Sequence, residues 1–148
     1  MEYWTDGTLL DYYDEVEYTG ESEAYVWFAQ LCSALEYVHD RGFAHRDVKM
    51  DNVLLDRRRR VRLADFGMCA AVTRPDRRRP VGRVPVVVPC RSVCGSSLYM
   101  SPELLAHGPY HGQLADVWAA GVLLHCLVTG RFPFPCVDGR ADDPLLVR

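Results

Sequence analysis

Asp47, Lys49 and Asn52 sit at short fixed offsets within His45 to Asn52, read as HRDVKMDN. An aspartate there is able to take a proton from an attacking hydroxyl. A lysine two places on can neutralise charge on a transferring phosphate, and an asparagine can offer its carbonyl oxygen to a metal. Together they read as a phosphoryl-transfer loop. Such a loop has to be held rigidly, and the flanks suit that need: an apolar helical pattern precedes it and a short strand, Val53 to Leu55, follows. An HRD triplet alone is also what an ordinary surface Arg–Asp pair looks like, so the rest of the chain has to decide. Val61-Arg62-Leu63-Ala64 reads as a strand running into Asp65-Phe66-Gly67, with Asp65 eighteen positions after Asp47 and thirteen after Asn52. Gly95 to Glu103, GSSLYMSPE, comes next, and then Asp116-Val117-Trp118 with Gly121.

With these motifs in this order the sequence resembles the eukaryotic protein kinases, and the likeness covers nearly the whole chain. It implies an α+β, protein kinase-like fold: a mostly helical large C-terminal lobe with a short β-hairpin. Residues 1–148 then form one partial kinase domain, from the hinge to just past the central buried helix. The glycine-rich loop, strand lysine and partner glutamate of the N-terminal lobe are not found before Met1, and the last helices are missing. The chain alone is therefore expected to be inactive. The implied cofactors are ATP and Mg²⁺, with the metal on Asn52 and Asp65. Asp47 orients the hydroxyl, Lys49 offsets phosphate charge, and Ser96 bridges the two. Glu2 and Tyr3 would present backbone groups to adenine, with Met1 guarding the back of that pocket. Leu54 would pack under the adenine ring, and Asp51 is counted with the nucleotide-binding set. Thr8 stands where many kinases carry an acid that touches ribose or a substrate arginine; a helix N-cap is an equal reading of it.

The same resemblance assigns structural and regulatory roles. His45 would pack beneath Phe66 in the internal spine of the domain, and Asp116 would accept hydrogen bonds from the backbone of the catalytic loop. Ser92, three places before Gly95, occupies an activating phosphorylation position, with Arg46 as the receiver of the phosphate. An activating kinase acting on Ser92 is thus an expected partner beside the protein substrate. Lys49 and Ser96 point to serine/threonine rather than tyrosine specificity. CGSSLYMSPE and LVTGRFPF look most like the calmodulin-dependent or testis-specific serine kinase groups. Ser101 replaces the usual alanine of an APE triplet, and the arginine that normally pairs with Glu103 is not identifiable before the chain stops. The rival reading is a non-catalytic interaction module that kept the lobe as a docking surface.

Composition fits one domain or part of one: 148 residues, 49% hydrophobic, net charge −3. The charge is unevenly spread. Residues 1–24 carry eight acids and no Lys or Arg, whereas eleven of the sixteen Arg fall between Arg57 and Arg91. Two solvated faces are the plain reading of that asymmetry, and an acidic rim that steers basic substrates the sharper one. No secretory signal is read at the N-terminus. The longest apolar run, Val117 to Val128, falls short of the roughly 20 residues that span a bilayer. Neither a membrane nor a nucleic acid is expected as a partner. Six cysteines show no even framework, and Cys32 and Cys126 fall on helices predicted to be buried, so reduced thiols are expected. The cytoplasm is the expected location, with the nucleus as the alternative.

Along the chain, a short helix is predicted around Thr8 to Tyr13. A longer amphipathic one runs from Ser22 to His39, with a stripe of Ala24, Phe28, Leu31, Leu35 and Val38, and Gly42 beyond its end. Two short strands flank the charged turn Arg57 to Arg60, read as solvated rather than as a nucleic-acid patch. Asp65 to Glu103 is long for an activation segment. Its excess, Arg74 to Pro89, is rich in Arg and Pro and reads as a mobile insertion, and the flanking Pro85 and Pro89 make Val86-Val87-Val88 a poor central strand and discourage edge pairing. Cys90-x3-Cys94-x12-His107-x3-His111 matches zinc-finger spacing. Both histidines would need one continuous helix, yet Gly108-Pro109 falls between them and an interior proline costs about 3 kcal/mol. Asp116 to Val128 is apolar around its whole circumference and is predicted to be buried on all sides, with Gly130 ending it and Phe132-Pro133-Phe134 forming a turn.

Overall fold

The computed structural model describes residues 7–16, 19–74 and 86–134. Met1, Glu2, Tyr3 and the closing segment with Cys136 lie outside them, so the adenine contacts expected of Glu2 and Tyr3 do too.

Helix α1 spans Leu9–Val16 and begins at Thr8. The Asp11 amide donates to Thr8 Oγ1 at 3.1 Å, while Thr8 N and Oγ1 both donate to Asp11 Oδ2 at 2.7 and 2.8 Å. This is the reciprocal capping arrangement, with Asp in place of the usual Glu or Gln. These contacts bear out the helix-cap reading of Thr8. Leu9 and Tyr13 turn inward, fully buried, and Asp14 and Glu15 face water.

Helix α2, Glu21–Asp40, buries Ala24, Trp27, Leu31, Leu35 and Val38. Trp27 takes a buried place on the stripe where Phe28 was expected; Phe28 is only half-buried at the edge of the core. The indole reaches that depth because Nε1 donates to Arg59 O at 3.1 Å and its ring meets Tyr12 edge-on at 5.0 Å. Cys32 lies on the outer face and is exposed, which corrects the expectation of burial; Cys126 is buried. The error follows from helical geometry: Cys32 is one residue past Leu31, about 100° around the helix from the inward stripe. Gly42, at φ +77, ends the helix by donating to His39 O at 2.9 Å.

Strand β1, Phe43–Ala44, leads into the candidate loop, and a single 3-10 turn, Met50–Asn52, leaves it. Strands β2, Val53–Leu55, and β3, Val61–Leu63, pair antiparallel as Val53↔Leu63, Leu54↔Arg62 and Leu55↔Val61. Asp56 organises their turn by accepting from the amides of Arg58 and Arg60 at 2.9 and 2.8 Å. The arginines are not merely solvated. Arg59 pairs with Glu23 at 2.8 Å and lies over the Tyr12 ring, and Arg60 pairs with Asp56.

Beyond a second 3-10 turn at Phe66–Met68, strand β4, Ala70–Ala71, pairs with β1. Strands β5, Thr73–Arg74, and β6, Val86–Val87, form a further antiparallel pair. Val86 and Val87 therefore do pair, contrary to the expectation raised by the flanking prolines. Pro85 and Pro89 lack only their own amides, and the hydrogen bond that continues this ladder, Val88 N to Val72 O at 2.7 Å, uses neither. Residues 75–85, the middle of the expected insertion, are outside the described set.

A third 3-10 turn, Ser97–Tyr99, precedes the short helix α3, Pro102–Leu105, and then α4, Gly112–Thr129. His107 follows α3 at φ 56 and the His111 side chain caps α4, so the two histidines of the zinc-like spacing sit on either side of a helix break. Helix α4 packs on α2, and Gly130 closes it at φ 73. Its inner face, including Ala119, Leu123, Cys126 and Leu127, is buried, but Leu114 and Val117 are 60% and 59% exposed. Burial on all sides is thus not what the described residues show, because they cover only one side of the helix. The apolar run read as Val117 to Val128 is part of an 18-residue helix of mean hydropathy 1.3, enough by length and composition to cross a membrane. Half of that helix is buried in the fold, and Asp116 is among its buried residues, the pattern of a core helix. Phe132 and Phe134 do more than turn the chain: they pack on Tyr99 and Trp118 at 5.3 and 5.5 Å between ring centres.

Candidate active site

The loop from His45 to Asn52 is hung from α4. Asp116, 1% exposed, accepts from the His45 amide through Oδ2 at 2.8 Å and from the Arg46 amide through Oδ1 at 2.7 Å. His39, at the end of α2, completes the carboxylate's surroundings with Nε2 2.8 Å from Oδ2. A buried carboxylate is tolerated when donors surround it, and here two amides and an imidazole do so. Nothing in the sequence pointed to His39: its partner is 77 positions away, and locally it is only the last basic residue of an amphipathic helix.

His45 is fully buried, with Nε2 2.9 Å from Ala64 O and Nδ1 accepting from the Asp47 amide at 3.3 Å. A neutral ring with its hydrogen on Nε2 satisfies both contacts. The Phe66 ring lies edge-on to it at 4.8 Å, the packing expected of a spine residue. Arg46 adopts φ 69; its Nε donates to Met68 O at 2.6 Å and its Nη1 to Ser92 Oγ at 2.8 Å.

The Asp47 carboxylate is the centre of the cluster. Oδ1 accepts from Ser96 N at 3.1 Å and Ser96 Oγ at 3.3 Å; Oδ2 accepts from Asn52 Nδ2 at 2.9 Å and lies 3.3 Å from Lys49 Nζ. Asn52 Nδ2 also donates to the Asp47 carbonyl at 2.8 Å. Both sides of the carboxylate are thus oriented, while it stays 11% exposed. Of the bridge expected of Ser96, the structure shows the Asp47 half; Lys49 joins through the same carboxylate. Gly95 makes the approach possible: at φ +99 it lies so close that an added Cβ would stand 2.7 Å from Arg46 O.

The hairpin brings Asn52 and Asp65 to one end, since Ala64 N donates to Asn52 O at 2.8 Å just beyond the Val53↔Leu63 pair. Asp65 sits in the left-handed region, φ 57 and ψ 77, and its Oδ1 accepts from Gly67 N at 3.1 Å. A non-glycine residue held there signals a constrained site. Asn52 commits its nitrogen to Asp47, so its carbonyl oxygen remains as the donor for a cation, and Asp65 keeps its second carboxylate oxygen. An amide oxygen and a carboxylate oxygen are the hard donors that magnesium selects. Asp51 is exposed in the 3-10 turn, with no hydrogen bond to this cluster among the described residues. Leu54 is half-buried and its backbone bridges Thr8. A cavity of about 720 Å³ lies among α2, β3 and Phe66, and none of Asp47, Lys49, Asn52 or Asp65 lines it.

The sequence that builds this site has relatives of known class. The sequence model of the protein kinase domain matches residues 1–144, and the chain belongs to that family. It is 42% identical over 134 residues to maternal embryonic leucine zipper kinase of Danio rerio, an overlap covering 90% of this chain and 18% of that protein. It is 40% identical over 148 residues to NUAK family SNF1-like kinase 2 of Rattus norvegicus, covering 100% and 21%. Against CBL-interacting protein kinase 25 of Oryza sativa subsp. japonica the identity is 40% over 140 residues, covering 91% and 26%. The chain therefore spans about a fifth to a quarter of these relatives' length. Enzymes of this family act on protein substrates and generally use ATP with Mg²⁺.

Proposed function

We propose that this chain carries the catalytic loop of a serine/threonine protein kinase that transfers the γ-phosphate of ATP to a protein hydroxyl. The observation that carries the reading is the Asp47 carboxylate, clamped on one side by Ser96 and on the other by Asn52 and Lys49. A carboxylate oriented in this way orients a substrate hydroxyl and accepts its proton as the phosphoryl group moves. Lys49, beside it, offsets the charge of that group. Asn52 and Asp65 would hold Mg²⁺, which supplies positive charge at the phosphates. Ser96 keeps the segment that precedes α3 in register with the loop.

Ser92 is the regulatory position of this reading. Arg46 already reaches its hydroxyl, so a phosphate placed there by an activating kinase gains a charge-assisted partner. ATP chemistry of this kind belongs inside the cell, and we place the protein in the cytoplasm; fluorescence imaging of the tagged protein checks this. The decisive test of the mechanism is Asp47→Asn in the full-length gene product. Turnover is expected to fall by roughly 10² to 10⁴, the usual contribution of a positioned base, with the KM for ATP little changed. Near-normal turnover in that variant sinks the assignment and leaves the non-catalytic docking module as the better reading.

A further inference from the structure

Tyr110 is 3% exposed, and no step of the transfer reading uses it. Its backbone makes a two-way bridge with Cys90: Cys90 N donates to Tyr110 O at 2.8 Å, and Tyr110 N donates to Cys90 O at 3.0 Å. Its hydroxyl donates to Ser92 O at 3.1 Å, and Cys94 Sγ lies 3.9 Å from the Tyr110 hydroxyl oxygen. One residue therefore touches three alternate positions of the segment that carries Ser92. Arg46, whose guanidinium also meets the phenol, donates to the Ser92 hydroxyl, and four residues further on Ser96 reaches Asp47. Only about 20 Å³ is left empty in the space lined by Arg46, Asp47, Cys94, Ser96 and Tyr110. Burial pushes the Tyr110 phenol up to about 12, with Cys94 adding to the rise and the Arg46 guanidinium opposing it, so the hydroxyl remains a donor throughout the neutral range.

Resting on the kinase reading, we propose that Tyr110 is a positioning residue that docks the activation segment against the catalytic loop while Ser92 still carries a free hydroxyl. The Ser92 carbonyl is held by the phenol and its side chain by Arg46, so the backbone that leads to Ser96 is set before any phosphate is added. A phosphate on Ser92 strengthens the Arg46 side of the same grip and makes the phenol less necessary.

The test uses the full-length gene product as parent and Tyr110→Phe, each prepared with Ser92 unmodified and with Ser92 phosphorylated. The phenylalanine ring keeps the apolar packing and removes only the hydroxyl. In the unmodified state kcat is expected to fall about fivefold to tenfold, the weight of one hydrogen bond, with the KM for ATP unchanged. Phosphorylation is expected to bring the variant back to within about twofold of the parent. Amide hydrogen exchange at Ser96 supplies a readout independent of activity and is expected to quicken by a similar factor in the unmodified variant. Unchanged kcat and exchange in the unmodified variant overturn the proposal. Equal losses in both phosphorylation states overturn it too, since they indicate a general packing role. A parent inactive in both states counts against the phosphoryl-transfer reading instead, and the exchange measurement then decides Tyr110 alone.

Discussion

Asp116 shows how much one buried side chain organises here. It accepts from two consecutive loop amides and from His39, and it does so from the first turns of a helix that is otherwise almost entirely apolar. Replacing it by alanine leaves the His45 and Arg46 amides and the His39 ring without their acceptor. Each buried donor left unsatisfied costs roughly 1–3 kcal/mol. Asp116→Ala is therefore expected to lower the midpoint of thermal unfolding by several degrees and to reduce kcat at least tenfold, because Asp47 follows directly on the two released amides. Calorimetry and steady-state assays of the full-length gene product check both; an unchanged midpoint would show that the loop is held by something else. Gly95 makes a second prediction at this scale. At φ +99, with an added Cβ 2.7 Å from Arg46 O, Gly95→Ala has to push the segment away from the loop. The Ser96 contacts to Asp47 then lengthen, and kcat is expected to fall while the KM for ATP stays put.

Helix α1 and the β2–β3 hairpin are elements whose ends matter more than their middles. At the start of α1, Thr8 and Asp11 satisfy each other, and the Thr8 amide and hydroxyl hold the Asp11 carboxyl below the usual aspartate value. Thr8→Ala is expected to cost about 1 kcal/mol, read from urea unfolding. The pH dependence has a definite sign. A carboxyl whose folded value is lowered contributes stability above its unfolded value and loses that contribution as pH falls through the folded one. The parent should thus lose stability on acidification below about pH 4, and Thr8→Ala should flatten that limb. Equal acid limbs in both proteins contradict the cap. The hairpin, for its part, sets Asn52 and Asp65 side by side through the Ala64–Asn52 backbone bond, so its register decides whether two oxygen donors meet.

For the molecule as a whole, the α2–α4 packing buries one face of α4 and leaves Leu114 and Val117 more than half exposed. A large apolar side chain left in water forfeits roughly 1.5–3 kcal/mol. The isolated 148-residue chain is therefore expected to self-associate through this face, and Leu114→Lys with Val117→Lys to shift it toward monomer; sedimentation velocity distinguishes the two, and identical profiles would exclude the face as the contact. The sequence by itself determined the loop residues, the hairpin, the two long helices and the family, because each rests on offsets of a few positions: three and four along a helix, two along a strand, fixed spacing within a motif. It also pointed to Asp116 and to the Arg46–Ser92 pair, through resemblance and not through any local pattern. Tertiary structure alone decided that His39 joins Asp116, that Tyr110 grips the segment around Ser92, and that Val86 and Val87 find Thr73 and Arg74. Those outcomes depend on which surfaces meet across 77, 18 or fewer positions of intervening chain, and a side chain's local neighbours carry no record of what the fold will later set against it.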